Sequence, residues 1–334
     1  MHKPIVVVGS INLDLVARVS RAPVLGETVS GLEFQTFCGG KGGNQAVALA
    51  RLGAPVVMIG KLGNDIFADQ LRGGLEEAGV DTQYVETVSG SSGTALITTT
   101  LEGANSIVVI PGANQELVHE DIDRYSEQIT SAAMVLAQME IPKETVLRVG
   151  ELARSAHVPF LLDPAPASPL SPELLRTVTW LSPNETETRI LLRLEPDEIG
   201  LESAPEFAAQ LRALGASNVV LKLGEQGIYM AGEDVAPVHV DAIPVNAVDT
   251  TAAGDAFNGA FAYALALRKM EPVAAAEFAC TAAAISVTRA GAQTSMPTLD
   301  EAEQLLAKRL DRRDVSPSET PPEAQMANRA PDKS

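Results

Sequence analysis

Five short runs of this chain are apolar at nearly every position: Ile5–Val8, Val56–Ile59, Met134–Met139, Val158–Leu162 and Asn218–Leu223. A strand with one wet face alternates apolar and polar residues, whereas a strand covered on both faces need not. Between these runs lie Asn44–Leu52, Ile66–Ala78, Lys143–Ala156 and Pro205–Leu214, where apolar residues recur at helical spacing. Strand followed by helix, repeated, predicts an α/β fold: a mostly parallel sheet with helices on both faces. A length of 334 residues suits one large domain with an elaboration. Hydrophobic residues make up 46% and aromatic residues only 4%, so the core must be aliphatic and rich in Ala.

Two segments break the rhythm. Residues 13–38 contain Leu15–Val19, then Pro23 and Gly26, then Thr28–Ser30. Residues 93–111 read as a hairpin, Thr94–Leu101 and Ser106–Ile110 about a Gly103-Ala104-Asn105 turn. Strands with no helix between them do not belong to a parallel sheet, which predicts a small β subdomain serving as a lid. The alternative is a pair of edge hairpins on the main sheet. After about Leu310 the composition turns to Pro, Ser and Glu. That predicts a disordered tail over 311–334 and a single domain over 1–310.

The formal charge is −18 and the pI about 4.6. A nucleic-acid backbone binder would be basic, so nucleic acid is not an expected partner. Backbone N–H groups still suit a small phosphate ligand locally. Two distant cysteines, Cys38 and Cys280, form neither a disulfide framework nor a metal cluster, which fits a reducing, cytoplasmic setting. The N-terminus leads straight into a strand rather than a signal peptide, and no apolar run reaches about 18 residues, so no membrane span is expected. The histidines His2, His119, His157 and His239 show no ligand spacing.

The strongest motif is Asp249-Thr250-Thr251-Ala252-Ala253-Gly254-Asp255-Ala256-Phe257. Small residues stand just before a helix whose apolar face carries Phe257 and Phe261. They leave backbone N–H groups open at a helix N-terminus, where donors and dipole suit a phosphate. Asp255, in the first turn, is placed to take a proton from a hydroxyl attacking a γ-phosphate. The plainer reading, a dipole-complementing Asp after a turn Gly, is weakened by the small residues before it. A second motif, Gly39-Gly40-Lys41-Gly42-Gly43-Asn44, enters the helix Gln45–Leu52. Its glycines admit a ligand to the backbone, and Lys41 and Asn44 can grip hydroxyls. It is not a P-loop, since no Ser or Thr follows Lys41. A flexible turn would look the same.

Asn12 and Asp14, two residues apart after the first strand, can point the same way toward two hydroxyls, or form an Asx-turn. Glu187, in Asn184-Glu185-Thr186-Glu187, can order phosphates or hydrated Mg²⁺. Helix capping by Asn184 and Glu187 alone explains the same residues, and is the better account of them in isolation. Glu140 and Asp163 end strands at the edge where ligands bind. Leu223-Gly224-Glu225-Gln226-Gly227 reads as a strand-turn-strand hairpin, and Arg289–Gln293 follows an Ala-rich helix whose small face can admit an adenine ring.

In this order the motifs resemble the ribokinase family, a branch of the phosphofructokinase-B superfamily of carbohydrate kinases, over about residues 4–308. Gly39–Asn44 with Gln45-Ala46-Val47-Ala48 is similar to the N-terminal signature, and Asp249–Phe257 to the C-terminal one. Ala is more usual where this chain has Gly43. The resemblance implies a Rossmann-like sheet flanked by helices, with a β lid that forms a homodimer contact. It implies ATP-dependent phosphorylation of D-ribose at the 5-hydroxyl, giving D-ribose 5-phosphate and ADP. Other acceptors considered are 2-deoxyribose, fructose and a nucleoside such as adenosine. A non-catalytic sugar or nucleotide sensor is a further alternative, disfavoured by Asp255 standing with Gly254. By resemblance the sugar is held by Asn12, Asp14, Gly40, Lys41, Asn44 and Glu140, with Asp255 as base and amides of Ala252, Ala253 and Gly254 as anion hole. Nucleotide contacts match Asn184, Lys222, Leu223, Gly224, Glu225, Gln226, Gly227 and Gly254. Mg²⁺ accompanies the phosphates, and a K⁺ ion takes oxygens from Asp249, Thr251, Ser286, Arg289, Gly291 and Ser295.

Overall fold

The computed structural model describes residues 3–102, 105–195 and 199–314. Its strands are β1 (Ile5–Val8), β2 (Asn12–Val19), β3 (Gly31–Gly39), β4 (Val56–Gly63), β5 (Asp81–Val88), β6 (Gly93–Thr100), β7 (Asn105–Ile110), β8 (Met134–Gln138), β9 (Phe160–Asp163), β10 (Trp180–Leu181), β11 (Asn218–Lys222), β12 (Ile228–Gly232) and β13 (Val238–Val240). Nine of them form one sheet in the order β13-β12-β11-β10-β9-β8-β1-β4-β5. It is parallel from β11 to β5, with β12 and β13 added antiparallel. All five expected strands are present, and each apolar run is explained by burial on both faces. Ile5, Val6, Val7 and Val8 are each 0% exposed, with Ile5 and Val7 in one core and Val6 and Val8 in the other.

The first core lies under the helices Lys41–Arg51, Ala253–Ala266 and Pro272–Ser286. The second lies under Lys143–Ser155 and Ala204–Ala213. Trp180 meets Phe261 edge-on at 5.0 Å, pinning the helix Ala253–Ala266 to the sheet. That helix also crosses Lys41–Arg51 very closely, because a Cβ on Gly259 would stand 2.7 Å from the Ala48 Cβ. One turn back from this contact, Asp255 and Asn44 face each other.

The two irregular segments are not edges of the main sheet. They form a separate four-stranded sheet, β3-β2-β6-β7, in which the parallel pair β2–β6 joins two antiparallel hairpins. Gly103 and Ala104 of the expected turn lie outside the described residues. Strand β3 starts at Gly31, so Thr28–Ser30 is not part of it. The last helix runs over Leu299–Asp314, beyond the boundary expected at 310, and residues 315–334 lie outside the described range.

The glycine motif departs from expectation. Gly42, Gly43 and Asn44 are already helical, since the helix starts at Lys41 with Gly40 as N-cap at φ +83. Close approach is the reason: a Cβ on Gly42 would lie 2.7 Å from the backbone of Gly9 and Ser10, and one on Gly40 would lie 2.6 Å from the Asn12 nitrogen. The glycines bring a helix N-terminus against the end of β1 instead of forming a loop.

Candidate active site

Asp255 stands in the first turn of the helix Ala253–Ala266 and is 4% exposed. Asn44 Nδ2 donates to its Oδ2 and Gln45 Nε2 to its Oδ1, each at 3.0 Å. Burial raises its pKa to about 6, with Asp163 adding repulsion, while Lys41 and the two amides pull it down. Each hydrogen bond to a charged group contributes about 1.5–3 kcal/mol. Desolvation outweighs them here, which leaves a carboxylate basic enough to accept a proton near neutral pH.

The residues expected around a sugar converge beside it. Asn12 and Asp14 share one face of β2, which rules out the Asx-turn reading. Each side chain occupies space left by a glycine. A Cβ on Gly93 would meet Asn12 Oδ1 at 2.1 Å, and one on Gly39 would meet Asp14 Oδ2 at 2.4 Å. Burial, then the charges of Glu140 and Asp255, raise the Asp14 pKa to about 7. Glu140 Oε2 accepts from Ser10 Oγ at 2.5 Å and from the Lys41 N–H at 3.0 Å. It therefore caps the glycine helix from across the fold. The Lys41 ammonium sits among Asp255, Asp163, Glu140 and Glu187, which hold its pKa above the usual lysine value despite burial.

On the other side of Asp255 opens a cavity of about 950 Å³, large enough for a nucleotide. Asn184, Glu187, Lys222, Gly224, Glu225, Gln226, Gly227 and Gly254 line it, with Ala252 and Ala253 at the helix start. Leu223 does not: its side chain is 2% exposed and packs in the second core. Asn184 and Glu187 form the capping box, Asn184 Oδ1 accepting from the Glu187 N–H and Glu187 Oε2 from the Asn184 N–H, both at 2.8 Å. Glu187 thus both caps a helix and faces the cavity. Ala283, Ala284 and Val287 provide the small apolar wall expected of the Ala-rich helix. The opposite wall, Ala242–Val245 and Ala247, went unread in the sequence, where an irregular apolar stretch carries no functional signal.

Ala252 adopts a left-handed conformation, φ 59, unusual for a residue with a Cβ. It turns the chain into the helix so that first-turn amides face the cavity. The Ala253 N–H is already returned to the Thr250 carbonyl at 3.2 Å, leaving the N–H groups of Gly254 and Asp255 without a carbonyl one turn back. A Cβ on Gly254 would lie 3.3 Å from Lys222 Nζ, so an ammonium stands over this helix start. Lys222 Nζ also lies 3.4 Å from Asp163 Oδ1.

Behind the helix start, Asp249 ties two loops together. Its Oδ1 accepts from the Thr251 N–H and its Oδ2 from the Gly291 N–H, both at 2.9 Å. The Val248 N–H donates to the Val287 carbonyl at 2.7 Å, closing the same junction. Ser286 and Ser295 are buried here, their hydroxyls turned back on the carbonyls of Ala283 and Ala292. The Arg289 guanidinium is engaged by Glu301.

Sequence reasoning singled out neither Gln45 and Gln138 nor Asn114. Asn114 Nδ2 donates to Asn12 Oδ1 at 2.7 Å, and its own Oδ1 accepts from the Ile11 N–H at 2.9 Å. Only the fold brings these residues together.

The sequence profile of the pfkB family carbohydrate kinases matches residues 2–299. This chain belongs to that family. As a pfkB carbohydrate kinase it is a phosphotransferase, in keeping with a buried carboxylate at a helix N-terminus. It is 45% identical over 306 residues to the ribokinase of Bacillus subtilis, covering 91% of this chain and 99% of that one. It is 39% identical over 305 residues to a deoxyribokinase of Salmonella typhimurium, covering 91% and 98%. Among solved structures, the Arabidopsis thaliana ribokinase complexed with ribose and ATP superposes with a TM-score of 0.85 at 35% identity, covering 92% of this chain and 99% of that one. The Thermotoga maritima ribokinase gives 0.82 at 39% identity, covering 91% and 99%. The pfkB family thus accounts for both signatures and for both sheets.

Proposed function

We propose that this chain transfers the γ-phosphoryl group of ATP to the 5-hydroxyl of D-ribose. The observation that carries this reading is the position of Asp255, between the polar set on β2 and the glycine helix on one side and a nucleotide-sized cavity on the other. In this reading Asp255 takes the hydroxyl proton as that oxygen bonds to the γ-phosphorus. The bond from phosphorus to the β-bridging oxygen breaks, and ADP leaves. The amides of Gly254 and Asp255, with Ala252 fixing the turn, face the charge that develops on the transferring group. Asn12, Asp14, Gly40, Lys41, Asn44 and Glu140 hold the sugar. Asn184, Lys222 and Gly224–Gly227 hold the nucleotide.

Among the described residues, no group of three His, Cys, Asp or Glu is suited to hold a metal ion. Mg²⁺ would be carried mainly by the phosphates, with Glu187 reaching it through water, and would neutralise phosphate charge. We assign a monovalent ion to the loops tied by Asp249. Carboxylate and carbonyl oxygens of Asp249, Thr251, Ser286, Arg289, Gly291 and Ser295 would hold K⁺, which would stiffen the anion hole. We read the small sheet as a lid and as a homodimer contact. Among the described residues no helix is long and apolar enough to cross a membrane. From its two distant, unpaired cysteines we assign the chain to a reducing compartment, the cytoplasm.

The 39% identity to a deoxyribokinase supports 2-deoxyribose as a second reading of the same site. The test is ADP release with Mg·ATP, in K⁺ and in Na⁺ at equal ionic strength, across ribose, 2-deoxyribose, fructose, adenosine and no sugar. The expected result is the highest kcat/KM on ribose and faster turnover in K⁺. Preference for 2-deoxyribose moves the reading to the second acceptor, equal rates in both ions remove the K⁺ site, and silence on every acceptor removes ribose and 2-deoxyribose as acceptors and favours the non-catalytic sensor.

A further inference from the structure

A chain of buried amides leads from the main sheet to Asp255. Gln45 is 0% exposed, and its Nε2 lies 3.0 Å from Asp163 Oδ2 and 3.0 Å from Asp255 Oδ1. An amide nitrogen carries two N–H groups, and here each has a carboxylate to serve. Turned over, the same side chain would set its oxygen against two carboxylates. The orientation is decided from behind: Gln138 Nε2 donates to Gln45 Oε1 at 2.7 Å.

Gln138 is the last residue of β8 and is also 0% exposed. Its place depends on Gly9, where a Cβ would stand 2.1 Å from Gln138 Oε1. Gly9 is not among the positive-φ glycines, so space rather than backbone conformation calls for glycine there. Residues from the ends of β1 and β8 thus serve one amide on the glycine helix.

We propose that Gln138 is a positioning residue for phosphoryl transfer: by holding Gln45 it fixes the amide that bridges Asp163 and Asp255 with both N–H groups toward the carboxylates. This rests on the reading of Asp255 as the base. The charged groups facing Asp255 are Lys41, Asp163 and Asp14, and its own helix carries no other charged residue. Beyond them, Lys222 pairs with Asp163, and Glu187 and Glu140 face Lys41. Among the described residues, the Asp255 carboxylate accepts hydrogen bonds from two side-chain amides, Asn44 and Gln45, and Gln138 fixes one of them. Losing a donor to the ionised form moves a carboxyl titration upward.

Two variants separate positioning from packing. Gln138→Met keeps the length and removes the donor. Gln138→Glu, when ionised, can only accept, and draws the Gln45 N–H groups away from Asp255. The measurements are the pH dependence of kcat with D-ribose and Mg·ATP, and the titration of the carboxyl carbons in the ¹³C-Asp-labelled chain, with Asp255 assigned from Asp255→Asn. The expected acid midpoint rises by about half to one pH unit in Gln138→Met and further in Gln138→Glu. The Asp255 carbon follows, and KM for ATP stays within about twofold. Midpoints unchanged from the parent chain, whatever happens to thermal stability, overturn the proposal. Should both variants fail to fold, the ¹⁵N side-chain amide of Gln45 in the parent chain decides. Its shift follows the Asp255 titration if the bridge holds, and an insensitive amide overturns it. A parent chain inactive on every sugar removes the proposed acceptors, while the carbon titration still tests the amide bridge.

Discussion

Asp255 shows how far a single residue was readable. Its neighbours in sequence, small residues and then a helix, announced a carboxylate at a helix N-terminus. Its hydrogen-bond pairing was not readable, because Asn44, though picked out as a polar group, and Gln45 meet it across 211 and 210 positions. Asn12 and Asp14 were legible from their spacing, but Asn114, 102 positions from Asn12, was not. Asp255→Asn should lower kcat by about 100-fold or more while leaving KM for both substrates within a few-fold, as loss of a general base does. Steady-state kinetics check this, and near-normal turnover would remove the residue from the base role. The carboxylate is the working form. With its pKa raised to about 6 in the free chain, kcat/KM for the sugar should fall about tenfold per unit or more below about pH 6. The same profile also carries Asp14, raised to about 7, and should begin to fall near that pH.

At the scale of elements, the five largely apolar strands, the hairpin Gly93–Ile110 and the helices beside the apolar strands followed from apolar spacing, with ends off by a few residues, whereas β3, β5, β10 and β13 did not. The start of the glycine helix was misread because a string of glycines argues against helix by propensity. Tertiary contact overrode propensity: Gly42 must lie against Gly9 and Ser10, and Gly259 against Ala48. The two positions mark what the helix pair requires. A Cβ on Gly43 would be tight only against the end of the Gln293 side chain, at 3.0 Å, with Leu75 and Ser10 at an ordinary 3.8 Å, so Gly43→Ala should be neutral or stabilise by up to about 1 kcal/mol. Gly259→Ala should cost about 1–3 kcal/mol by overpacking and also lower kcat, since the helices carrying Asn44 and Asp255 would be wedged apart. Thermal melts and kinetics on the two variants check this, and a fully active, stable Gly259→Ala chain would refute it.

For the whole molecule, the fold class was legible because doubly covered strands are apolar throughout. The pairing of the two hairpins into one sheet was not, since nothing local encodes the β2–β6 register. That register sorts the side chains of the small sheet. Phe34, Leu96 and Val108 fall on one face and are 65%, 46% and 57% exposed, while Ile107 and Val109 fall on the face shared with Asp14. An apolar face of this kind is unusual on a monomer. The chain is expected to sediment as a dimer, and Phe34→Glu with Val108→Glu to yield monomers. A parent chain monomeric at micromolar concentration in analytical ultracentrifugation would contradict this.

The small sheet meets the body at its Gly39–Asn12–Gly93 end, where Leu15 and Cys38 pack against the first core. From there β2 runs for eight residues, roughly 25 Å. Mechanically this is a cantilever held at one end, and the held end carries Asn12 and Asp14, the side chains we propose meet the sugar. A slight rotation at Asn12 and Asp14 sweeps the far edge through many times that distance. Whatever seats itself on those two residues therefore works the short arm of the lever.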